Sequence, residues 1–203
     1  MACVPAVHAG KTFGMAQDHQ RSGDQPVDLI RVRMVCRDLT RVPTIPVPDG
    51  FHLRTYQPGD ADHWTRIHLD AEPYHAITPA TFHEKFGRND LRLMQRQLYC
   101  CTSDGLPIGT ATAWFDDDYY GESWGRVHWV AVMREFQGRG LGRALVSRTC
   151  RLLVELGHLR AYLATQAGRV RAMKIYRSLG FEPDIRTDQD REAWEFVRRF
   201  GGG

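Results

Sequence analysis

The sequence predicts an α/β domain with a mixed sheet, and three features carry that prediction. Val127 to Val132 alternates as a strand and runs into Gly138, Gly140 and Gly142, after which Leu141, Ala144, Leu145, Leu152, Leu153 and Leu156 mark one face of a helix. Arg96 to Cys101 and Ile108 to Phe115 flank Thr102 to Pro107, a polar stretch holding Asp104 and Gly105, as in an antiparallel hairpin. Strand and helix patterns then alternate to the C-terminus. A chain of 203 residues is long enough for one such domain with a proper core.

Taken in order, residues 1–28 mix Gly, His, Gln, Asp and Ser with few large apolar side chains, so they bury too little to offset their ordering entropy and are expected as a disordered tail. Met15 offers an alternative start. The single domain is expected over 29–203. Leu29 to Cys36 alternates as a strand, and Pro43, Pro46 and Pro48 make an extended connector to a second strand, Phe51 to Tyr56. Gln57 to Asp60 is a turn, with Asp60 or Asp62 as helix cap, and Trp64, Ile67, His68 and Ala71 follow at helical spacing until Pro73. Thr78 and Pro79 start a second helix that carries Phe82 and Phe86 to Gly87. After the hairpin, Asp116 to Glu122 is an acidic loop leading back to the Val127 strand. In that strand Val127, Trp129 and Ala131 face one side, and His128, Val130 and Val132 the other. Gly157 closes the long helix, and Arg160 to Thr165 is a strand. Val170, Met173, Ile175, Tyr176 and Leu179 form a further helix ending at Gly180, and Ala193 to Val197 reads as the last strand.

Composition narrows the function. The net charge of +3 suits an anionic ligand but lacks the clustered basic stripe of a nucleic-acid binder. Five cysteines, an odd number with Cys100 beside Cys101, argue against a disulfide framework and for a reducing compartment. No apolar run reaches membrane-span length, and the N-terminus lacks the apolar core of a signal peptide. The expectation is a cytoplasmic protein with no membrane partner.

A strand entering a glycine loop at a helix N-terminus binds phosphate, because the first N–H groups lack partners, the dipole is positive there, and glycine admits an anion to the backbone. No Lys-Ser or Lys-Thr follows the glycines, which excludes a nucleoside-triphosphate loop. A dinucleotide fold needs a third glycine where Arg143 stands and a carboxylate after the next strand, where the chain has Ala164, Thr165 and Gln166. The surrounding residues say more. Gln137-Gly138-Arg139-Gly140-Leu141-Gly142 fits the R/Q-x-x-G-x-G/A acyl-CoA motif of the GNAT N-acetyltransferase superfamily, after a strand ending Val130-Ala131-Val132. Ala172, Tyr176, Leu179, Gly180 and Phe181 resemble that family's A-x-x-x-Y-x-x-L-G-F segment at the expected distance. The resemblance is close over Val127 to Phe181; the element order from Phe51 onward is similar to the family fold, and the strand and connector of 29–50 lie peripheral to it.

The resemblance implies a mostly antiparallel sheet flanked by helices, with two splayed strands holding acetyl-CoA and no metal. Val130, Ala131 and Val132 would present backbone to the pantetheine, and Gln137, Gly138, Arg139, Gly140, Leu141, Gly142 and Arg143 would surround the pyrophosphate. Arg134 is a further cation near that loop. Tyr176 matches the tyrosine that protonates the leaving thiolate, its alternative being a core side chain. His128 resembles in position a histidine implicated as base in serotonin N-acetyltransferase, its alternative being a half-buried strand residue. Where some relatives carry a glutamate this chain has Arg126, and where many carry asparagine it has Arg169. The acceptor would be an amine of a small molecule or a protein, near Tyr74, His75, Trp114, Tyr119 and Tyr120; Glu72, Asp116 to Asp118 and Glu122 are carboxylates able to attract it. A homodimer is left open, and a non-catalytic acyl-CoA-binding module is the other reading.

Overall fold

The structure, a computed structural model, describes residues 30–72 and 74–200. The expected tail over 1–28, the Leu29 strand start and the stop at Pro73 lie outside them. Seven strands make one sheet: β1 (Arg31–Cys36), β2 (Phe51–Thr55), β3 (Gln97–Thr102), β4 (Pro107–Asp116), β5 (Trp124–Val132), β6 (Ala161–Gln166) and β7 (Glu182–Pro183). Their order is β2-β3-β4-β5-β6-β1-β7, antiparallel throughout except for the parallel pair β5–β6. Among the described residues six α-helices accompany them: α1 (Asp60–Ala71), α2 (Thr81–Phe86), α3 (Asp90–Arg96), α4 (Leu141–Glu155), α5 (Val170–Ser178) and α6 (Asp188–Phe200). None is long and apolar enough to cross a membrane.

Each face of the sheet has its own core. Leu141, Leu145 and Leu153 of α4 and Trp194 of α6 pack with Met34, Ile108, Val127 and Leu163 on one face. Trp64 and Ile67 of α1, Phe82 and Phe86 of α2 and Leu93 of α3 pack with Tyr99 and Ala131 on the other.

Three expectations are corrected. The strand placed at the periphery lies inside the sheet: β1 pairs six residues with β6 and two with β7, and its Met34 and Val35 are fully buried. Alternation reveals a strand but not its partner, so the position was invisible locally. The last strand, expected over Ala193 to Val197, is part of α6. Ala193, Trp194 and Val197 are buried at helical spacing, and Thr187 and Asp190 cap the helix reciprocally: the Asp190 N–H donates to Thr187 Oγ1 at 3.1 Å, and the Thr187 N–H to Asp190 Oδ2 at 3.0 Å. That box was present in the sequence. Helix α3, capped by Asn89 accepting from the Arg92 N–H at 3.1 Å, was also missed before the hairpin.

The third correction concerns β5. His128 pairs with Thr112 and Ala131 with Thr110, so Trp129 and Val130 together oppose Ala111 in a bulge, with Trp129 at φ 48°. Alternation therefore breaks. His128 and Trp129 both face the α1/α2 layer, where His128 lies 5.9 Å from Phe86 and Trp129 5.2 Å from Trp64, whereas Val130 packs with the α4 layer. His128 and Val130 do not share a face. The left-handed conformation at a tryptophan costs about 1–3 kcal/mol and is held by the ring's packing.

The same strand leaves its neighbour. β5 pairs with β6 only at Gly125–Ala161 and Arg126–Tyr162, and beyond them the two diverge. Gly125 sets this junction, since a Cβ there would meet Leu153 Cδ2 at 3.0 Å, His158 Cβ at 3.1 Å and the Arg160 carbonyl at 3.2 Å. Gly125→Ala is expected to destabilise the fold by about 1–3 kcal/mol through overpacking, measurable as a lower urea midpoint at unchanged slope.

Candidate active site

Past the point where β5 leaves β6, a cavity of about 850 Å³ lies between the end of β5, the head of α4 and α5 with the residues that lead into it. One end is the glycine loop. Gly138 and Gly140 both hold left-handed φ, 79° and 83°, and Gly140 is the residue before the first turn of α4, whose leading N–H groups need an external partner. No acidic side chain stands in that turn, while Arg143, Arg171 and Lys174 line the cavity and make this end positive. The middle is formed by Val130, Ala131 and Val132 across from Ile175 and Tyr176. At the far end stand His68, Ala71, Glu72, Tyr74 and Arg169.

Of the residues singled out by sequence, Val130, Ala131, Val132, Gln137, Gly138, Gly140, Leu141, Gly142, Arg143 and Tyr176 all line this cavity. The Gln137 side chain also donates to the Val132 carbonyl at 2.9 Å, tying loop to strand. Arg139 does not line it: its guanidinium donates to the Glu135 carbonyl at 3.2 Å and sits 5.3 Å from the Phe136 ring. His128 does not line it either, because the bulge turns it beneath Phe86; burial first, then the cations Arg126, Lys85 and Arg31, hold its pKa well below the ordinary value. Of the aromatic acceptor candidates, Tyr74 lines the cavity and His75 adjoins it. Trp114 packs on Phe86, and Tyr119 stacks on Tyr162 at 3.8 Å and donates to Asp184 at 2.7 Å, with Tyr120 beside it. Tyr119 and Tyr120 belong to that separate cluster with Trp124.

Helix periodicity had accounted for His68 as a core position, and only the packing reveals where it points. It is 1% exposed, its ring 4.1 Å from that of Trp64 and 5.1 Å from that of Trp129. Neither ring nitrogen has a side-chain hydrogen-bond partner among the described residues, and the Trp129 backbone is the polar group within reach of the ring. Burial brings its pKa down to about 3, with Glu72 and the Trp129 backbone opposing and Arg169 reinforcing.

Glu72 was one of several loop carboxylates, and it alone among them lines the cavity. Its side chain is 4% exposed and pairs with Arg169; it accepts from the Tyr74 N–H at 2.7 Å and lies 3.3 Å from His75 Nδ1. Gln166 Nε2 stands 3.2 Å from His75 Nε2, which fits a tautomer donating from Nδ1 to Glu72. Arg169, 5.0 Å from the Tyr74 ring, thus clasps the end of α1 to the start of α5 rather than standing free for a phosphate. Burial would raise the Glu72 pKa, but His75, the Tyr74 N–H and Arg169 outweigh it and bring it from 4.5 down to about 2. A depressed carboxylate contributes stability that is full above pH 4.5 and fades as pH falls through 2. Glu72→Gln is therefore expected to cost on the order of 2–3 kcal/mol at pH 7, with the difference closing near pH 2, in urea titrations across that range.

A parallel pair that separates beside a cavity, with a glycine loop at one end of that cavity and a tyrosine in its wall, defines the architecture of this α/β domain. The chain belongs to the acetyltransferase (GNAT) family, whose sequence model matches residues 61–181. A mycothiol acetyltransferase of Thermomonospora curvata is 32% identical over 167 residues, 75% of this chain and 51% of the relative. The chain spans about half the length of the curated relatives it matches. Among solved structures, a GCN5-related N-acetyltransferase from Sphaerobacter thermophilus superposes with a TM-score of 0.62 at 22% identity, over 76% of this chain and 48% of that one. The structure of AAC(6')-Iy in complex with the bisubstrate analogue CoA-S-monomethyl-acetylneamine gives a TM-score of 0.54 at 20% identity, over 68% of this chain and 94% of that one. These two show the shared fold.

Proposed function

We propose that this chain is an acetyl-CoA-dependent N-acetyltransferase that passes the acetyl group directly to a primary amine. The observation that carries this is the continuity of one cavity from the glycine loop, along the open edge of β5, to Tyr176. In this reading the pantetheine lies along Val130 to Val132, its amides meeting the strand edge that β6 vacates, and the pyrophosphate meets the N–H groups from Gln137 to Arg143. Arg143 adds Coulomb attraction; Arg139 acts on the loop through its contact with Glu135. A backbone N–H at Val130 or Ala131 would stabilise the oxyanion, and Tyr176 would serve the leaving sulfur. Curated relatives named for mycothiol favour a small-molecule acceptor over a protein amine. Buried free thiols at Cys36, Cys100, Cys101 and Cys150 fit a reducing compartment, the cytoplasm.

Calorimetric titration with acetyl-CoA, followed by thiol-release assays over a panel of amines, tests the reading. Binding with amine-dependent thiol release is the expected result. Binding without turnover on any amine would leave only a cofactor-binding module, and absence of binding would overturn the cofactor assignment itself.

A further inference from the structure

We infer that Arg126 binds an anionic group of the acceptor, so that the substrate is an amine carrying a carboxylate on the order of 5–10 Å from its nitrogen. This rests on the acetyl-transfer reading above and deepens it, naming a specificity-determining residue outside the cavity already described.

The first observation is the state of Arg126 itself. It is the last residue of β5 paired with β6, opposite Tyr162, where the two strands begin to part. Its neighbour Val127 packs into the α4 core, so Arg126 stands on the other face, across from Trp114 of β4. The guanidinium lies 5.4 Å from the centroid of the Tyr162 ring, and its Nε is buried with no hydrogen-bond partner among the described residues. A ring contact does not satisfy an N–H, and a charged donor left unpaired away from water is costly. Burial first, then Arg31 and Arg33, press its pKa down, against Tyr162 and Asp116. A guanidinium stays protonated under that pressure, so an anion is the group that relieves it.

The second observation is what surrounds it. The register of β6 on β1 places Arg33 opposite Ala164 and Arg31 opposite Gln166, on the face that Tyr162 shares. Ala164, small and half-buried, lies in that row between Tyr162 and Gln166, and Arg31 is exposed, so a ligand can approach. The carboxylates close by are engaged. Asp116 accepts from the Tyr162 hydroxyl at 2.8 Å, and Asp190, 3.9 Å from Arg33, accepts from the Thr187 N–H at the head of α6. From α2, Lys85 adds its charge to those of Arg126 and Arg31 at His128. The field over this face is therefore positive.

The third observation is continuity with the cavity. Gln166, at the end of the row, stands 3.2 Å from His75 Nε2, and His75 Nδ1 lies 3.3 Å from Glu72 in the cavity wall. On β5, Val130 follows Arg126 with one bulged residue between them, a separation of about 10 Å at strand rise. An amine held at Val130 or Ala131 thus brings a carboxylate several bonds away within reach of the guanidinium. The fork of Nε–H and one Nη–H meets the two carboxylate oxygens, which a lysine could not match.

The test uses two pairs of acceptors that differ only as acid and amide: 6-aminohexanoate with 6-aminohexanamide, and glycylglycine with glycylglycinamide. In at least one pair the acid is expected to exceed its amide 30-fold or more in kcat/KM, chiefly through KM. Arg126→Met is expected to bring that ratio within threefold of unity, with Arg126→Lys keeping part of it. Tm should hold or rise in Arg126→Met, since an unpaired charge is removed, and the acetyl-CoA Kd should stay within twofold. Amides used as well as their acids, or transfer confined to amines without an anionic group, would overturn the inference while leaving acetyl transfer intact. No transfer to any amine of these pairs or of the wider panel would overturn both. A ratio that persists in Arg126→Met would refute the contact, whatever the change in Tm.

Discussion

Tyr176→Phe is expected to lower kcat for acetyl transfer by about 100-fold while the acetyl-CoA Kd changes less than twofold. The phenyl ring keeps the packing that Tyr176 makes with Phe181 at 6.2 Å, so only the hydroxyl is lost. Burial raises the phenol pKa to about 12, with Arg169 opposing. The proton is therefore retained at any working pH, and the hydroxyl acts as a hydrogen-bond donor to the sulfur as its charge develops. Complete transfer from so weak an acid to a thiolate would run uphill, which places the effect at the lower end of the range for general acids. Two measurements separate the contributions: single-turnover thiol release for the chemical step and calorimetry for binding. A kcat within threefold of wild type would remove Tyr176 from the reaction and return it to the core.

Gly140→Val is expected to weaken acetyl-CoA binding at least tenfold, or about 1.4 kcal/mol. A Cβ at this position meets only Pro48 Cγ at an ordinary 3.7 Å, so protein crowding is not the cause. The cause is the φ of 83°, which a β-branched residue reaches at a cost of about 1–3 kcal/mol. Relaxing that strain turns the peptide planes that aim the loop N–H groups at the ligand phosphate. Gly59→Val is the matched control: Gly59 has the same left-handed conformation, φ 98° and ψ −11°, stands at the head of α1 as Gly140 does at the head of α4, and does not line the cavity. It should lose comparable stability with an unaltered Kd. Equal affinity for Gly140→Val and wild type would contradict the placement of the pyrophosphate.

Much of the cavity lining was legible because it depends on local rules. Glycines with positive φ at a strand-to-helix turn, and a tyrosine at helical spacing five residues before Phe181, are patterns within short windows. Gln137, Gly138, Gly140 to Arg143 and Tyr176, which line the cavity, could accordingly be picked out from the sequence, whereas Arg139 in the same motif turns to the Glu135 carbonyl. The errors came where a local pattern has two readings. Ala193 to Val197 was read at strand period although Thr187 and Asp190 signalled a helix, and His128 was assigned a face by an alternation that a single bulge at Trp129 reverses.

The sequence by itself determined the α/β class, the hairpin, the glycine loop at the head of α4 and the family, since each rests on periodicity, turn chemistry or a short motif. Only the tertiary structure decided that β1 lies between β6 and β7, that β5 leaves β6 after Arg126, and that Glu72, just past the end of α1, pairs with Arg169 at the start of α5 in the cavity wall that His68 also lines. Glu72 and Arg169 are 97 positions apart in the chain. Their meeting depends on which strand edges pair and where the ladder stops, quantities set by long-range packing that no window of sequence contains.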